Sequence, residues 1–150
     1  MQVETKRMGT YVSAYLILRK KEEILLLLRQ NTGYCDGQWG VVMGHVEEGE
    51  PATLGMVREA YEEAGLNLLP SQLKIVHIMH RKTPDRLNMD VFFECPTWDG
   101  QAINKEPQKC AGLQLFPSSK LPSNTMDYIL GALRSIQNGE FYSEWGWQCC

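Results

Sequence analysis

The chain has 150 residues, 43% of them hydrophobic, a length that suits one folded domain over residues 1–150. Its formal net charge is −3, from 18 acidic and 15 basic residues, so it lacks the overall positive field with which proteins bind nucleic-acid polymers. No apolar run approaches the roughly 20 residues that span a bilayer, and the N-terminus lacks the apolar stretch of a secretion signal. We therefore expect a soluble cytoplasmic protein with no membrane partner.

The cysteines form neither a metal-site pattern nor a disulfide framework. They are Cys35, Cys95, Cys110, Cys149 and Cys150. Their number is odd, and the adjacent terminal pair cannot form an ordinary structural bridge. We expect reduced thiols, which suit a reducing compartment, and an inert C-terminal tail.

The first half of the chain predicts strands followed by a helix. Residues 11–18 and 24–28 are rich in branched and aromatic side chains and flank a polar turn, which predicts two paired strands. A further short strand is predicted over residues 39–43. Pro51 suits the first helical position and Gly65 suits the left-handed residue after the end, so a helix is predicted over residues 51–64.

The second half predicts three more strands and a closing helix. The strands are expected at residues 74–79, 87–94 and 113–116. Asn124 is the candidate N-cap of the closing helix, and Gly139 is its stop signal. The predicted buried stripe of this helix is Met126, Ile129, Leu130, Leu133 and Ile136. Strands surrounding a mid-chain helix, with a second helix at the end, predict an α+β domain.

Three carboxylates share one face of the mid-chain helix. At 100° per residue, Glu59, Glu62 and Glu63 fall together. The opposite side carries Val57, Ala60, Tyr61 and Ala64. Their spacing brings them close, and each like-charged pair costs about 0.2–0.5 kcal/mol unless something offsets it. A solvated acidic face is the common explanation of such a pattern. A divalent cation is the alternative, because Mg²⁺ prefers carboxylate oxygens and bridges substrate phosphates.

The residues around this helix resemble the signature motif of the Nudix hydrolase family. Gly44 is followed six positions later by Glu50, and then by the run Arg58-Glu59-Ala60-Tyr61-Glu62-Glu63-Ala64-Gly65-Leu66. The family motif is a glycine, five residues, a glutamate, seven residues, then Arg-Glu-apolar-any-Glu-Glu-any-Gly-apolar. Every specified position is met across residues 44–66. One departure lies just before the motif, where the family often has Pro-Gly-Gly and this chain has Val42-Met43-Gly44.

The resemblance, which is to the MutT-like branch, implies a fold and a reaction. The fold is an α/β/α sandwich, with a mixed β-sheet between helices. The reaction is Mg²⁺-dependent (or Mn²⁺-dependent) hydrolysis of the diphosphate linkage of a small-molecule nucleotide. The most specific expectation is a nucleoside triphosphate pyrophosphohydrolase, acting on ordinary or oxidised nucleotides and releasing a monophosphate and pyrophosphate.

Two alternatives stay open. One is a pyrophosphatase for ADP-ribose or another nucleotide sugar, because Pro84 falls near a proline marker of that branch. The other is a non-catalytic module that senses nucleotides, against which the intact Glu59, Glu62 and Glu63 argue. The sequence does not fix the oligomeric state, and a homodimer is one expectation.

The resemblance also implies roles for the motif residues. The implied metal ligands or catalytic bases are Glu50, Glu59, Glu62 and Glu63. Gly44 lets the backbone approach the metal closely enough for its carbonyl to ligate. Arg58 is expected to orient a neighbouring glutamate, because a guanidinium fork pairs well with a carboxylate.

Candidates outside the motif are fewer. Glu106 lies in a loop, residues 98–110, that looks like the one from which a further glutamate reaches the metals in nucleotide-cleaving Nudix enzymes; a solvated carboxylate is the alternative. Arg29 resembles an arginine that contacts substrate phosphates.

Recognition of a base needs an apolar wall and a few amide groups. Trp39, Phe93 and Asn124 are the candidates, although we favour Asn124 as the helix cap. The three histidines, at positions 45, 77 and 80, show no chelating arrangement and receive no role.

Overall fold

The computed structural model describes residues 6–148, which form eight strands and two α-helices. The elements are β1 (Tyr11–Lys20), β2 (Glu23–Arg29), β3 (Trp39–Gly40), β4 (Val42–His45), α1 (Ala52–Ala64), β5 (Lys74–Lys82), β6 (Leu87–Cys95), β7 (Cys110–Pro117), α2 (Asp127–Gln137) and β8 (Tyr142–Trp145). Neither helix in this part of the chain is long and apolar enough to cross a membrane.

Strand β1 is the centre of a mixed sheet. The strand order is β3-β2-β1-β6-β5-β8, while β4 pairs with β1 and β7 pairs with β2. The pairs β1–β6 and β5–β8 are parallel and the others are antiparallel. On one edge, β1 uses its first half to pair with β4 and its last residues to pair with β2.

The alternation of side chains along the strands produces two hydrophobic cores. In β1, Leu16 and Leu18 face a core that includes α1, whereas Tyr15 and Ile17 face a core that includes α2. Because β1 is buried on both faces, its central residues form a continuous apolar run in the sequence. Full burial of a side chain such as Leu16 contributes about 1.5–3 kcal/mol. The predicted α/β/α sandwich is confirmed.

Helix α1 begins and ends almost where the sequence predicts. Pro51 is extended and serves as the N-cap. Gly65 at φ 66° ends the helix, where its N–H donates to the Tyr61 carbonyl and the Leu66 N–H donates to the Ala60 carbonyl. Ala60 and Ala64 are fully buried against the sheet. These small side chains let α1 approach the sheet closely, which brings its acidic face beside β4.

The predicted N-cap of α2 is wrong. Met126 occupies that position, and the Asn124 carboxamide instead donates to the Gly37 carbonyl at 3.0 Å. A bridge between Trp39 and Thr125 keeps the chain extended through this region, so the helix starts only at Asp127.

The closing helix is also followed by a strand that the sequence does not predict. Strand β8 adds in parallel to β5, and His77 stabilises the junction through Ser143 Oγ at 2.7 Å and the Glu140 carbonyl at 2.9 Å. Four residues of alternating exposure are too short a pattern for a strand to be recognised without its partner.

The free cysteines in the described residues are Cys35, Cys95 and Cys110, as the prediction of reduced thiols requires. Cys149 and Cys150 lie outside the described residues, as do residues 1–5.

A buried ion pair joins β5 to β6. Arg81 donates from Nε to Asp90 Oδ2 at 2.5 Å and from Nη2 to Oδ1 at 3.3 Å. Arg81 is 5% exposed and Asp90 is fully buried. Arg81 also donates to the Tyr15 hydroxyl at 3.0 Å and lies over the Tyr128 ring, with 4.0 Å between the guanidinium carbon and the ring centroid.

Because the pair is buried, removal of one partner should cost far more than removal of an exposed charge. We expect Arg81→Ala to lower the free energy of unfolding by about 3–5 kcal/mol, since it leaves the Asp90 carboxylate buried without its cation. Arg134→Ala, which removes an exposed arginine from α2, is the control and should change stability by about 0.5 kcal/mol or less. Urea unfolding of both variants checks this, and equal losses would contradict the assigned role of the pair.

Candidate active site

A cavity of about 870 Å³ runs from the acidic face of α1 across the ends of β1, β5 and β6. One part, here called the acidic end, is lined by Glu59, Glu62, Glu63 and Glu106. The other part, here called the sheet end, is lined by Ser13, Tyr15, Arg81 and Asn88. The volume lies in the range of sites that enclose a small organic ligand.

Arg58 organises the glutamates of the acidic end. Its Nη1 donates to Glu59 at 2.9 Å and to Glu62 at 3.2 Å. Its Nε and Nη2 hold both oxygens of Glu50, at 3.1 and 2.7 Å, and Nη2 also reaches the His45 carbonyl at 3.2 Å. A single guanidinium therefore ties α1 to the loop before it and to the end of β4.

These contacts shift the pKa values of the glutamates in different directions. The hydrogen bonds from Arg58 hold the pKa of Glu50 below its usual range. Burial raises the pKa of Glu59, and the neighbouring Glu62 and Glu106 add to the effect, although Arg58 opposes it. Both carboxylate oxygens of Glu50 are therefore hydrogen-bonded to Arg58, whereas Glu59 contacts Arg58 and also lines the cavity.

Glu63 has the strongest need of a positive partner. Burial raises its pKa well above the usual range, and repulsion from Glu59 and Glu106 raises it further. Its Oε2 accepts a hydrogen bond from the Met43 backbone N–H at 2.9 Å, which places it beside β4. A neighbouring cation would relieve this excess of negative charge.

Gly44 is needed because Glu59 lies directly against it. A Cβ added to Gly44 would overlap the Glu59 carboxylate. The absent side chain therefore leaves room for the Glu59 carboxylate and the Gly44 backbone to approach one another.

The donor set of the acidic end fits a divalent cation. Four carboxylates line one wall, the partly buried Glu63 among them has a raised pKa, and Gly44 lines the same cavity without a side chain. Hard cations such as Mg²⁺ prefer these oxygen donors. Within residues 6–148, no three His, Cys, Asp or Glu side chains already converge as a ligand group. Arg58 and the Met43 N–H hold the glutamates in the arrangement observed.

Positive side chains line the same part of the cavity. Arg29 donates to the Tyr34 carbonyl at 2.8 Å, and Lys109 lies in the loop before β7. That loop is fixed by backbone bonds from Lys109 and Cys110 to the Glu106 carbonyl. Glu106 is therefore brought to the cavity by a structured turn rather than by a free loop.

The structure does not bring the three predicted base-binding residues together with the acidic end. Phe93 is 1% exposed and packs in the core on the α1 side of the sheet. Trp39 packs edge-to-face on Phe116, with 4.9 Å between ring centroids. The side chain of Asn124 is bonded to Gly37, outside the cavity lining.

Sequence reasoning missed the sheet end altogether. Its floor is the Arg81–Asp90 pair with Tyr15 and Tyr128, whose hydroxyls are 3.1 Å apart. Burial raises the pKa of both tyrosines, so they stay neutral. The available signal is a run of polar residues at alternate positions of β5 and β6, where the buried face would otherwise be apolar.

His45, which receives no role from the sequence, also lines the cavity. Its ring lies between Ser13 Oγ and Arg86 Nη1, each 3.1 Å away. Burial and the nearby Arg86 lower its pKa, which favours the neutral ring.

Comparison with solved structures places this architecture among known folds. A MutT Nudix hydrolase from Burkholderia pseudomallei aligns with 84% of this chain and 97% of its own, at 21% identity and a TM-score of 0.76. A MutT protein from Methanosarcina mazei aligns with 89% and 97%, at 18% identity and a TM-score of 0.77. An ADP-ribose pyrophosphatase from Streptococcus suis aligns with 91% and 99%, at 14% identity and a TM-score of 0.61. These likenesses show the fold.

No curated protein sequence matches the chain significantly. The family model for the NUDIX domain matches residues 8–132, which include β1 through most of α2 and the whole of the glycine-to-glutamate motif. With that match over most of its length, and with the Nudix fold in its structure, the chain belongs to the Nudix hydrolase family.

Proposed function

We propose that the chain is a divalent-metal-dependent pyrophosphohydrolase that converts a nucleoside triphosphate to its monophosphate and pyrophosphate. One observation carries the proposal: four glutamates line one end of a cavity that also has room for a nucleoside. Residues 1–150 act in this proposal as one Nudix unit. We place the reaction in the cytoplasm, because the free thiols in residues 6–148 suit a reducing compartment.

The acidic end supplies the groups that the reaction needs. In the proposal, Glu59, Glu62, Glu63 and Glu106 hold Mg²⁺ or Mn²⁺ together with the Gly44 carbonyl. A divalent cation held there would supply positive charge to the phosphates and would make a water molecule more acidic. Glu50 and Arg58 are positioning residues, since Arg58 fixes the directions in which Glu59 and Glu62 point.

The chain's own groups then complete the hydrolysis. A glutamate of the acidic end accepts the proton as water attacks phosphorus, and the bond to the leaving phosphate oxygen breaks. Arg29 and Lys109 balance charge on the phosphates, because both are cations that line this part of the cavity. The products are a nucleoside monophosphate and pyrophosphate.

A nucleotide sugar is the second candidate substrate. Pro84 lines the cavity, beside the turn between β5 and β6, and the volume exceeds the needs of a diphosphate alone. The structurally similar protein from Streptococcus suis is described as an ADP-ribose pyrophosphatase. ADP-ribose is therefore included among the substrates to be tested.

The deciding experiment is a panel of ordinary and oxidised nucleoside triphosphates and ADP-ribose, each with Mg²⁺ and with Mn²⁺. Phosphate and pyrophosphate are measured separately. Pyrophosphate from triphosphates supports the proposal, whereas AMP with ribose 5-phosphate from ADP-ribose supports the second candidate. Binding without turnover of any substrate would identify a nucleotide sensor and refute both.

We expect Glu62→Gln to lower turnover by at least about a hundredfold, because the variant keeps the shape of the side chain but loses a charged ligand. The fold should survive, since the side chain is 48% exposed and its ion pair with Arg58 is weak in water. Glu48→Gln removes an exposed carboxylate outside the cavity lining and is the control. Near-normal turnover in folded Glu62→Gln would remove α1 from the catalytic machinery.

Glu106→Gln tests whether the loop before β7 takes part in chemistry. We expect a lower turnover number with a smaller change in the Michaelis constant, as for an interaction made mainly in the transition state. Both constants are measured at saturating Mg²⁺. If neither changes, the catalytic carboxylates are confined to the motif.

Gly44→Ala tests the close approach between β4 and Glu59. We expect turnover to fall by about a hundredfold, because the new methyl group displaces a carboxylate whose position the reaction depends on. Gly9→Ala is the matched control, since a Cβ there meets no atom within 4 Å. Equal activity of the two variants would contradict the role assigned to Gly44, and circular dichroism verifies that both are folded.

A further inference from the structure

Asn88 is a buried carboxamide that has no hydrogen-bond partner within residues 6–148. Both of its side-chain polar atoms, Oδ1 and Nδ2, are unpaired among the described residues, although the residue is only 1% exposed. An unpaired amide removed from water costs free energy, and native structures contain few of them. Asn88 also lines the cavity, and because both polar atoms are buried, a rotation of the side chain is needed to bring them to a bound ligand.

The polar groups around Asn88 are already engaged with one another. Its neighbour across the β5–β6 ladder, Arg81, is held by Asp90. Ser13 is hydrogen-bonded to His45, which in turn contacts Arg86. Asn88 is therefore left with a free donor and a free acceptor while the rest of the sheet end is satisfied.

Strand register fixes how far Asn88 lies from the acidic end. Gly44 pairs with Ala14 of β1, whereas Asn88 pairs with Tyr11 of the same strand from the other side. With about 3.3 Å per residue and about 4.8 Å between strands, the two positions are separated by about 14 Å. Such a span is too long for a phosphate held at the acidic end and suits the far part of a nucleotide.

The charges of the sheet end favour an uncharged ligand group. The cationic Arg81 is matched by Asp90, and Arg86, which also lines this part of the cavity, lies 3.9 Å from the Asp85 carboxylate. At the acidic end the carboxylates require a cation, so the two ends suit different parts of one molecule. A carboxamide offers a donor beside an acceptor, and it binds two adjacent groups on the edge of a planar base, as in the pairing of Asn with adenine.

We propose that Asn88 is the residue that recognises the hydrogen-bonding edge of the nucleobase in the bound substrate. This inference rests on the proposed function for the identity of the ligand as a nucleotide. The Asn88 amide has no partner among residues 6–148, so both of its groups can pair with the base when the base enters. It is a specificity-determining position, distinct from the sequence candidates Trp39, Phe93 and Asn124.

The test uses binding rather than hydrolysis, so that its result does not depend on turnover. Dissociation constants are measured by calorimetry for the four common nucleoside monophosphates and for ribose 5-phosphate, which lacks a base. The variants are Asn88→Leu, which has a similar size without polar atoms, and Met89→Leu as control. Met89 is the next residue of β6, and by strand alternation its side chain faces the opposite side of the sheet.

We expect Asn88→Leu to weaken the best-bound monophosphate by about tenfold or more, while ribose 5-phosphate binding stays unchanged. The melting temperature should stay the same or rise, because an unpaired amide is replaced by an apolar group. Met89→Leu should alter neither ligand.

Three results would overturn the inference. They are unchanged monophosphate binding in Asn88→Leu, equal weakening of monophosphate and ribose 5-phosphate, and a wild type that binds no monophosphate more tightly than ribose 5-phosphate. A lowered melting temperature with unchanged binding would identify a structural amide bonded to water. If Asn88→Leu does not fold, the isosteric Asn88→Asp replaces it, and an unaltered ranking of the four monophosphates would refute the inference.

Pyrophosphate release from a triphosphate by the wild type is followed separately. Release together with Asn88-independent binding refutes only the base-recognition role. Absence of hydrolysis together with Asn88-dependent monophosphate binding refutes only the proposed reaction.

Discussion

The arrangement of the acidic end depends on the Arg58 guanidinium. Glutamates at i, i+3 and i+4 on one helix repel each other, and Glu50 enters the same region from the preceding loop. Arg58 compensates this charge with five donor contacts to Glu50, Glu59, Glu62 and the His45 carbonyl. Its planar fork can hold several acceptors in fixed directions, which a lysine cannot do. Helix α1 therefore packs beside β4, and its carboxylates still face the cavity.

The sheet provides the rigid support for this arrangement. Strand β1 pairs with β4, which carries Gly44, and with β6, which carries Asn88, so one strand connects both ends of the cavity. The two faces of β1 enter different cores, so a one-residue slip would exchange Tyr15 with Leu16, and the register is therefore strongly specified. The small residues Ala60 and Ala64 then determine how closely α1 approaches, and this closeness is what places Glu59 against Gly44. The packing of α1 against the sheet therefore also sets the position of Glu59 in the site.

In the proposal, the two ends of the cavity bind different parts of the substrate. The acidic end concentrates negative charge beside Arg29 and Lys109, which suits a cation and phosphates. At the sheet end Arg81 is balanced by Asp90, and the Asn88 carboxamide has no partner within the described part of the chain. Nudix proteins share the first kind of site through their motif, whereas the second kind depends on residues outside it. Under the proposal made here for Asn88, substrate choice depends on β5 and β6 rather than on α1.

The sequence by itself determined the family, most strands, helix α1 and the glutamates on its face, because these depend on local periodicity and on residue spacing within one element. It did not determine the start of α2, since the bridge between Trp39 and Thr125 overrides the capping preference of Asn124. It also placed Phe93 at the ligand, although alternation along β6 turns that side chain into the core. Tertiary structure alone decided that Asn88, Arg81 and Tyr15 meet at one end of the cavity. Those residues lie on three strands, and only the pairing register brings them together.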